Sequence, residues 1–457
     1  MNSIFELMDS NSCGTDHFWA PYISSNEPTF FEGSLFDLKS GLFQEKFYTV
    51  IGKSLVRWTS SKQKAKMAKL EWKPLNPFID ENQDEKLYGF SLGHKNSSKD
   101  FYVKSSSELD KWVDCLSSIC IMSDIEDDYQ ISQQIGSGNS SVVHLGVRIQ
   151  DSKKFAIKKV SKKKIQKSKI NLENLINEIK IMRKLNHPNI IKLHRVYESP
   201  HNIYLVLDYV KGGDLYSRIL EKGSLPESTV IKFSKKLLKV LSYTQSCGVV
   251  HRDIKPENIL MISKNNDYNF KLADFGLAAE VTNENLTLRC GSPGYIAPEI
   301  LRKCSYGVEA DVFSAGIILY VLLSGHMPFF SKSAEGVLLR NRDCLISYRD
   351  EVWKKISKNA INLIQNLTDT QPNKRLTPKK ALDHPWLSTL CKAKRSSTAK
   401  NSDREIEEVN HRSQSLMGDS DILQARKTII LSTNFAPMKN PRKIINVVKA
   451  NVNICDN

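Results

Sequence analysis

The chain has 457 residues, of which 40% are hydrophobic and 25% are charged, a composition that is typical of globular domains and leaves room for two or three of them. Its formal net charge is +16, but the basic residues are spread along the whole sequence without a nucleic-acid-binding motif, so we expect an acidic partner or an anionic membrane and no nucleic acid. The nine cysteines lack paired metal-ligand spacing and no run of eighteen apolar residues occurs, which argues against a zinc module and a membrane-spanning helix.

Residues 1–28 are predicted to be an N-terminal extension. Acidic Glu6, Asp9 and Asp16 lie where a secretory signal peptide would need a basic start and an apolar centre. Without such a signal the cysteines are expected to be reduced thiols. The expected location is therefore the cytoplasm, with recruitment to membranes as an addition.

Residues 29–120 alternate polar and apolar side chains in the manner of β-strands. Strands are predicted over Gly33–Lys39, Gln44–Ile51, Ser54–Ser60, Tyr88–Leu92 and Asp100–Val103. A helix from about Ser106 to Cys120 follows, and its apolar stripe contains Leu109, Trp112, Val113, Leu116 and Ile119. Several strands followed by a helix with this tryptophan resemble a pleckstrin homology (PH) domain, and the resemblance implies a β-barrel with a C-terminal helix.

The PH resemblance leaves two alternatives for what this region binds. In lipid-binding members, basic residues that flank the first two strands bind inositol phosphate headgroups through charge-assisted hydrogen bonds. Lys39 and Lys46 match such positions, whereas Gln44 lies where those members often have a basic residue. We therefore expect either contact with phosphoinositides or an acidic membrane, or a protein-binding or autoinhibitory module.

A glycine-rich loop opens the next region, after a predicted linker at residues 121–128. Gly136 and Gly138 precede β-branched and apolar residues over Ser141–Val147 and Phe155–Val160, which predict two strands. A dinucleotide-binding loop would lead into a helix instead. The pattern favours a hairpin whose glycines let backbone N–H groups approach phosphate oxygens.

Two charged residues follow on a predicted strand and a predicted helix. Lys158 lies near the end of the strand, and Lys159 is expected to face the other way because strand side chains alternate. A helix is predicted from about Lys167 to Leu185, with Glu178 near its centre.

The stretch from His251 to Asn258, followed by Asp274, Phe275 and Gly276, contains the groups that phosphoryl transfer needs. Asp253 is the candidate base for a hydroxyl proton, and Lys255 is the candidate cation for the transferring phosphoryl group. Asn258 and Asp274 supply oxygen ligands of the kind that Mg²⁺ prefers.

Taken in this order and followed by Ala297, Pro298 and Glu299, these motifs make residues 129–387 resemble a eukaryotic protein kinase domain of the serine/threonine branch. The resemblance implies an α+β, bilobal kinase fold, ATP and Mg²⁺ as cofactors, and phosphate transfer to serine or threonine in protein substrates with basic residues. It also implies that Lys158 grips the ATP phosphates and pairs with Glu178. The runs Gly291–Glu299 and Asp311–Gly316 resemble the calcium/calmodulin-dependent kinase group.

The kinase resemblance also assigns residues to ATP. Adenine is expected to hydrogen-bond backbone near Asp208 and Val210. The full set of ATP-binding positions is Ile135, Gly136, Gly138, Val143, Ala156, Lys158, Asp208, Val210, Asp214 and Leu260.

Four further positions bear on substrates and regulation. The resemblance implies that Glu257 and Asp214 bind an arginine three residues before the phosphoacceptor and that Leu277 favours serine, so Arg-x-x-Ser substrates are predicted. Leu288 occupies the slot where many relatives carry a phosphorylatable threonine. This predicts activity without a phosphate at that slot.

Residues 388–457 are predicted to be a flexible basic and polar tail. Its segments Arg426–Leu431 and Arg442–Val448 are basic and apolar in the manner of calmodulin targets, although Pro441 precedes the second. Calmodulin is therefore an open alternative among the partners. Ser415, three residues after Arg412, matches the predicted substrate pattern and is a candidate for self-phosphorylation.

The alternative from another functional class is a pseudokinase or scaffold tethered by the PH-like region, in which ATP binds but phosphate is not transferred. The presence of Lys158, Asp253, Asn258 and Asp274 argues against it, because each role in the transfer has its residue.

Overall fold

The computed structural model describes residues 4–5, 18–22, 27–59, 65–82, 85–94, 97–138, 141–166, 169–281 and 286–388. The chain divides into two compact units, and each is described by itself. Unit 1 comprises residues 1–173 and 192–209, and unit 2 comprises residues 174–191 and 210–457. Apart from Ser388, the predicted tail with Ser415 and both candidate calmodulin segments lies outside the described residues.

The first part of unit 1, here called the β-module, consists of antiparallel strands followed by a helix. Its strands are β1 (Ala20–Pro21), β2 (Thr29–Lys39), β3 (Leu42–Ile51), β4 (Ser54–Trp58), β5 (Ala65–Lys69), β6 (Pro74–Asn82), β7 (Glu85–His94) and β8 (Ser97–Val103), and its helix is α1 (Ser106–Ser117). The five predicted strands are confirmed over the described residues, as is the helix, whereas β1, β5 and β6 were not predicted. Helix α1 ends three residues earlier than expected, and the chain tightens there, since Ile119 N–H bonds the Leu116 carbonyl three residues back at 2.9 Å.

The strands of the β-module pair in the order β1-β5-β4-β3-β2-β8-β7-β6. The β2–β3 hairpin turns at Ser40 and Gly41, which both have positive φ angles of 48° and 79° and so match the twist of two-residue hairpin turns. Helix α1 packs Leu109, Trp112 and Leu116 into the core. Among the described strands β5 and β6 do not pair with each other, so the predicted closed barrel is not confirmed.

The residues predicted to be a linker, 121–128, form a short strand and a short helix. Strand β9 (Ile121–Met122) pairs in parallel with β6 and, through Met122, with Tyr197 of a later strand. Helix α2 (Ile125–Asp128) follows, and the side chains of Ile121, Met122 and Ile125 are buried. One hydrophobic core, which includes Trp112 and Tyr197, therefore extends through unit 1.

The second part of unit 1 is a five-stranded antiparallel arrangement in the order β13-β14-β12-β11-β10. Its elements are β10 (Tyr129–Ser137), β11 (Ser141–Arg148), β12 (Lys154–Ser161), α3 (Lys162–Ile165), β13 (Leu193–Glu198) and β14 (Asn202–Asp208). The predicted hairpin around the glycine-rich loop is confirmed, since β10 and β11 pair from Tyr129↔Arg148 to Ser137↔Val142. The predicted helix with Glu178 is observed as α4 (Lys169–Lys184), which begins in unit 1 and continues in unit 2.

Unit 2 is mainly helical. Its helices are α5 (Leu215–Lys222), α6 (Glu227–Ser246), α7 (Pro298–Leu301), α8 (Glu309–Ser324), α9 (Ala334–Asp343), α10 (Glu351–Lys354), α11 (Lys358–Leu367) and α12 (Pro378–Leu382). Its strands are β15 (Val249–Val250), β16 (Ile259–Met261), β17 (Phe270–Leu272) and β18 (Ala279–Glu280), which pair as β15–β18 and β16–β17.

Helix α8 is the centre of unit 2, because every side chain from Ala310 to Ser324 is buried. Arg375 reaches the start of this helix, where it donates to the Glu309 carbonyl at 2.7 Å and to both oxygens of Glu299 at 2.8 and 3.0 Å. None of the helices in the described part of the chain has the length and apolar character needed to span a bilayer.

Candidate active site

The loop between β15 and β16 positions the predicted catalytic residues of unit 2. Asp311 at the start of α8 accepts hydrogen bonds from the backbone N–H groups of His251 (2.7 Å) and Arg252 (2.9 Å). The buried His251 ring accepts from Asp253 N–H at Nδ1 (3.3 Å) and donates from Nε2 to the Ala273 carbonyl (3.1 Å). These two bonds fix the tautomer with the proton on Nε2 and tie the loop to the residue before Asp274.

The carboxylate of Asp253 is held by three neighbours. Ser292 donates to Oδ1 at 2.7 Å, while Lys255 Nζ (2.8 Å) and Asn258 Nδ2 (3.1 Å) contact Oδ2. Lys255 Nζ also donates to the Ser292 hydroxyl at 2.7 Å, which closes a triangle of hydrogen bonds. Each of Asp253, Lys255 and Asn258 is at most 8% exposed, so the carboxylate has one fixed orientation.

The charge of Lys255 is maintained in this triangle. Burial by itself lowers the pKa of the ammonium group, but the adjacent Asp253 carboxylate outweighs that effect and the pKa of Lys255 is raised. The lysine therefore stays cationic at neutral pH, as a group that stabilises phosphoryl charge must.

Ser292 is a site residue that the sequence interpretation did not assign. It lies 39 positions after Asp253, in the run that leads to Ala297, Pro298 and Glu299. Its position in that motif was visible in the sequence, but the hydroxyl contact depends on how the chain returns to the loop.

The two predicted metal ligands fit magnesium. Because the amide nitrogen of Asn258 donates to both the Asp253 carbonyl and its carboxylate, the amide oxygen is directed away from Asp253. Ala273 N–H bonds the Asn258 carbonyl at 2.8 Å, and the exposed Asp274 follows directly. In the described parts of the chain no three His, Cys, Asp or Glu residues cluster as a metal site.

Glu178 and Asp274 both lie beside Gly276. A methyl group on Gly276 would come within 3.2 Å of Asp274 Oδ1 and 3.7 Å of Glu178 Oε2. Glu178 is only 5% exposed, so this predicted site residue is a buried carboxylate and not a solvated surface charge. Only the contact with Asp274 would be tight for such a methyl group, since the distance to Glu178 is an ordinary van der Waals contact.

The two predicted substrate carboxylates lie near one tyrosine. Asp214 accepts from Ser217 N–H at 2.6 Å at the start of α5, and it pairs with Leu260 in an isolated β-bridge. Burial raises the pKa of Tyr216, and the charges of Glu257 and Asp214 raise it further. Asp214 and Glu257 thus both lie near enough to the exposed Tyr216 for their charges to affect its pKa, and Glu257 is itself exposed.

Unit 1 carries the predicted nucleotide strands. Gly136 pairs with Val143 across the hairpin, and Gly138 N–H bonds the Ser141 carbonyl at 2.8 Å. The next two residues of the loop, Asn139 and Ser140, lie outside the described residues, and Ile135 before it is 40% exposed.

Lys158 and Ala156 share one face of β12, since they are two residues apart. Lys158 pairs with Val143 and Leu205, and Ala156 pairs with Leu145 and Leu207. Lys159 lies on the opposite face, as expected, with Nζ 5.8 Å from the centre of the Tyr204 ring. Val210 and Leu260, the remaining predicted adenine contacts, belong to unit 2. The ATP-binding assignments stay predictions.

The family model of the protein kinase domain matches residues 129–387, which is more than half of the chain. The chain therefore belongs to the protein kinase family. This match covers neither the β-module nor the tail.

Similarity to curated relatives indicates which group of protein kinases the chain resembles. The chain is 37% identical over 270 residues to myosin light chain kinase A of Dictyostelium discoideum, covering 59% of this chain and 90% of that protein. It is 37% identical over 265 residues to calcium/calmodulin-dependent protein kinase type 1 of Macrobrachium nipponense, with 58% and 76% covered. It is 39% identical over 266 residues to the human type IV calcium/calmodulin-dependent kinase, with 58% and 55% covered, so it spans about half of that relative.

These likenesses and the family match define an ATP-dependent serine/threonine protein kinase of the calcium/calmodulin-dependent kinase type. The α+β kinase fold that the sequence predicted is confirmed. Members of the protein kinase family generally use ATP and Mg²⁺.

Proposed function

We propose that the protein phosphorylates serine in Arg-x-x-Ser sequences with Asp253 as the base. The substrate hydroxyl oxygen forms a bond to the γ-phosphorus while the bond from the γ-phosphorus to the β–γ bridging oxygen breaks, and ADP leaves. The hydroxyl proton passes to the Asp253 carboxylate. The observation that carries the proposal is the hydrogen-bonded triangle of Asp253, Lys255 and Ser292, which holds one carboxylate and one cation side by side, 2.8 Å apart.

The remaining roles follow from position and residue type. Lys255 stabilises the charge on the γ-phosphoryl oxygens, and Lys158 holds the α- and β-phosphates. Magnesium, when bound by Asn258 and Asp274, neutralises phosphate charge. Leu277, directly after Gly276, supports the preference for serine over threonine.

Arginine selection is proposed for the two carboxylates beside Tyr216. A guanidinium group placed between Asp214 and Glu257 would make charge-assisted hydrogen bonds, which contribute roughly 1.5–3 kcal/mol each. Replacing the substrate arginine by alanine is therefore expected to lower kcat/KM by about tenfold or more.

Phosphate incorporation from labelled ATP tests the proposal. Three peptides that differ only at the arginine or at the acceptor are compared: Arg-x-x-Ser, Ala-x-x-Ser and Arg-x-x-Thr. The expected order of kcat/KM places the first peptide highest, and Glu257→Gln is expected to reduce the difference between the first two. Asp274→Ala and Asp253→Asn should abolish incorporation, while Glu335→Gln, an exposed carboxylate of α9, should not change it.

Retained transfer in Asp274→Ala would overturn the assignment of Asp274. A wild-type chain that binds ATP but labels no peptide would instead support the pseudokinase or scaffold alternative. Equal labelling of the Arg and Ala peptides would remove the arginine preference alone.

We propose that the β-module, as a PH-like region, recruits the kinase to an acidic surface, either an anionic lipid headgroup or a partner protein. Lys46, Lys99 and Arg57 lie 2.5, 3.5 and 3.8 Å from the single buried carboxylate of Asp37, which leaves an excess of two positive charges. Lys53 is paired with Glu71 at 2.6 Å and adds none. Flotation with phosphoinositide vesicles and with neutral vesicles decides between the two, since equal recovery rules out the lipid.

We also propose a cytoplasmic enzyme whose tail binds calmodulin. The support is the naming of two relatives as calcium/calmodulin-dependent kinases and the basic, apolar segments Arg426–Leu431 and Arg442–Val448. Calcium-dependent retention on immobilised calmodulin, lost on replacing the basic residues of both segments, is the expected result. Retention that is independent of calcium or of these residues would contradict it.

A further inference from the structure

Two neighbouring residues of strand β13 in unit 1 have contacts with different parts of that unit. Arg195 contacts Asp114 of the β-module, and His194 contacts Asp208 at the end of β14, where adenine is predicted to bind. His194 and Arg195 are neighbours on this strand, at a register irregularity in its pairing with β14 between Leu193 and Arg195. An extra residue in an antiparallel pair re-aims side chains and is common next to active sites. The irregularity therefore lies at the two residues whose side chains have different partners, His194 and Arg195.

Arg195 joins three elements of unit 1. Its guanidinium donates to Asp114 of α1 at 2.9 Å, to Asp128 at the end of α2 at 3.1 Å, and to the Tyr197 hydroxyl at 3.4 Å. The Tyr197 hydroxyl in turn donates to Asp128. The Arg195 side chain is 11% exposed, so its planar fork is held by packing as well as by charge.

A second contact ties the same strand to the N-terminal residues. Glu198, at the end of β13, accepts from the Ile4 backbone N–H at 2.7 Å and pairs with Lys162 Nζ at 2.7 Å. The next residue, Phe5, stacks on Trp72 with ring centres 5.3 Å apart and planes 7° apart. Trp72 has a φ of 73°, a conformation that a bulky residue keeps only when its surroundings impose it.

On its other side β13 holds the end of β14. His194 Nε2 lies 2.8 Å from Asp208 Oδ1, and Lys192 N–H donates to Asp208 Oδ2 at 3.1 Å. Asp208 N–H also bonds the Lys192 carbonyl at 3.1 Å. The backbone of Asp208 is therefore fixed by the residues that precede Arg195.

We propose that β13 couples the β-module to nucleotide binding and that Arg195 is a positioning residue for ATP. The inference rests on the proposed function, in which backbone at Asp208 meets adenine. With Arg195 engaged, β13 is fixed against α1, α2 and β9, and the His194–Asp208 contact keeps the end of β14 in its binding conformation. Without it, β13 shifts within its irregular register, and ATP affinity falls while the transfer step is unchanged.

The experiment compares full-length Arg195→Met with wild type. Methionine retains much of the apolar length of the arginine side chain but has no guanidinium group. The dissociation constant for a fluorescent ADP analogue and KM for ATP are both expected to rise roughly tenfold, with kcat and peptide KM within about twofold. The matched control is Lys86→Met, which removes a basic residue from an exposed pair with Glu81 in the β-module and should change nothing.

Two further variants keep the test decisive if Arg195→Met fails to fold. Asp114→Asn removes only the negative charge of the contact with α1, which weakens that contact, and is expected to raise KM for ATP by about threefold. His194→Gln should raise it as well, and its combination with Asp114→Asn should fall short of the product of the single effects, because both act through β13.

The coupling would be overturned if Arg195→Met bound nucleotide with unchanged affinity. If that variant does not fold, unchanged affinity in both Asp114→Asn and His194→Gln would overturn it instead. A fall in kcat alone would do the same, since it would place Arg195 outside nucleotide binding. A wild-type chain that does not bind the ADP analogue would overturn the proposed function, and this inference with it.

Discussion

The Tyr306 hydroxyl donates a 2.5 Å hydrogen bond to the carbonyl of Leu288, the residue that occupies the slot of the usual activating threonine. Tyr306 also exchanges two backbone hydrogen bonds with Leu286, at 3.0 and 3.1 Å. Arg252, whose guanidinium would bind a phosphate at that slot, donates to the Leu277 carbonyl and lies 3.4 Å from the Tyr306 hydroxyl. The segment around Leu288 and the Arg252 side chain are therefore held by uncharged partners, namely a hydroxyl and backbone groups. In kinases with a phosphorylated threonine at this slot, a phosphate would have that role.

We accordingly predict that Thr287→Ala, which removes the threonine nearest that slot, keeps kcat/KM within about twofold of wild type, because no contact of Arg252 depends on a phosphate.

Tyr306→Phe removes the hydroxyl and leaves the Leu288 carbonyl without its donor, which is expected to cost roughly 1–1.5 kcal/mol, or about tenfold in kcat/KM. Peptide phosphorylation assays check both values. A large loss in Thr287→Ala, together with phosphate found on Thr287 of the wild type, would show that the segment is phosphate-dependent after all.

Ser292→Ala is predicted to lower kcat by roughly 10- to 100-fold, because the hydroxyl bonds both the Asp253 carboxylate and the Lys255 ammonium group. Ser292→Thr retains the hydroxyl and should retain most of the activity. Ser246→Ala, which removes an exposed hydroxyl at the end of α6, is the matched control. Equal activity in the alanine and threonine variants would mean that the triangle does not position the base.

The site could be predicted from the sequence where its residues are close along the chain. His251 to Asn258 form a single loop and short helical turn, and Asp274 follows the hairpin that this loop begins, so a local motif contains most of the geometry. Ser292 was missed because a serine next to glycine and proline has no local property that identifies a contact with a carboxylate 39 residues earlier.

The joining of the β-module to the kinase strands could not be predicted for a related reason. Strand β9 has two residues, too few for any alternation of polar and apolar side chains to show. Arg195 finds its acidic partners 67 and 81 residues away, and a single arginine in a strand normally faces solvent. The predicted helix α1 and strand β2 were recognisable because each has enough residues to show its period.

The β-module is predicted to lose stability in acid through Asp37. Burial raises the pKa of this carboxyl, but the hydrogen bond from Lys46 and the charge of Lys99 outweigh it, so the pKa lies below its usual value of 3.8. A depressed acid pKa contributes stability that is complete above pH 3.8 and is lost as the pH falls through the folded-state pKa.

Asp37→Asn should therefore lower the free energy of unfolding by about 2 kcal/mol at pH 7, and the difference from wild type should shrink below pH 3.8. Thermal unfolding of both chains between pH 7 and pH 3 measures it. A difference that stays constant over this range would mean that the charge of Asp37 contributes nothing.

Thiol labelling at pH 8 is predicted to separate three cysteines of unit 2, namely Cys290, Cys304 and Cys344. Burial raises the pKa of Cys344 to about 11, so about 0.1% of it is thiolate at that pH, and Cys290 is buried with a raised pKa as well. Cys304 is exposed. Iodoacetamide followed by peptide mass spectrometry should find Cys304 alkylated well before Cys290 and Cys344, and alkylation in urea, where burial is lost, should remove the difference. Equal rates in the native protein would show that the thiols of Cys290 and Cys344 become accessible to solvent faster than they react.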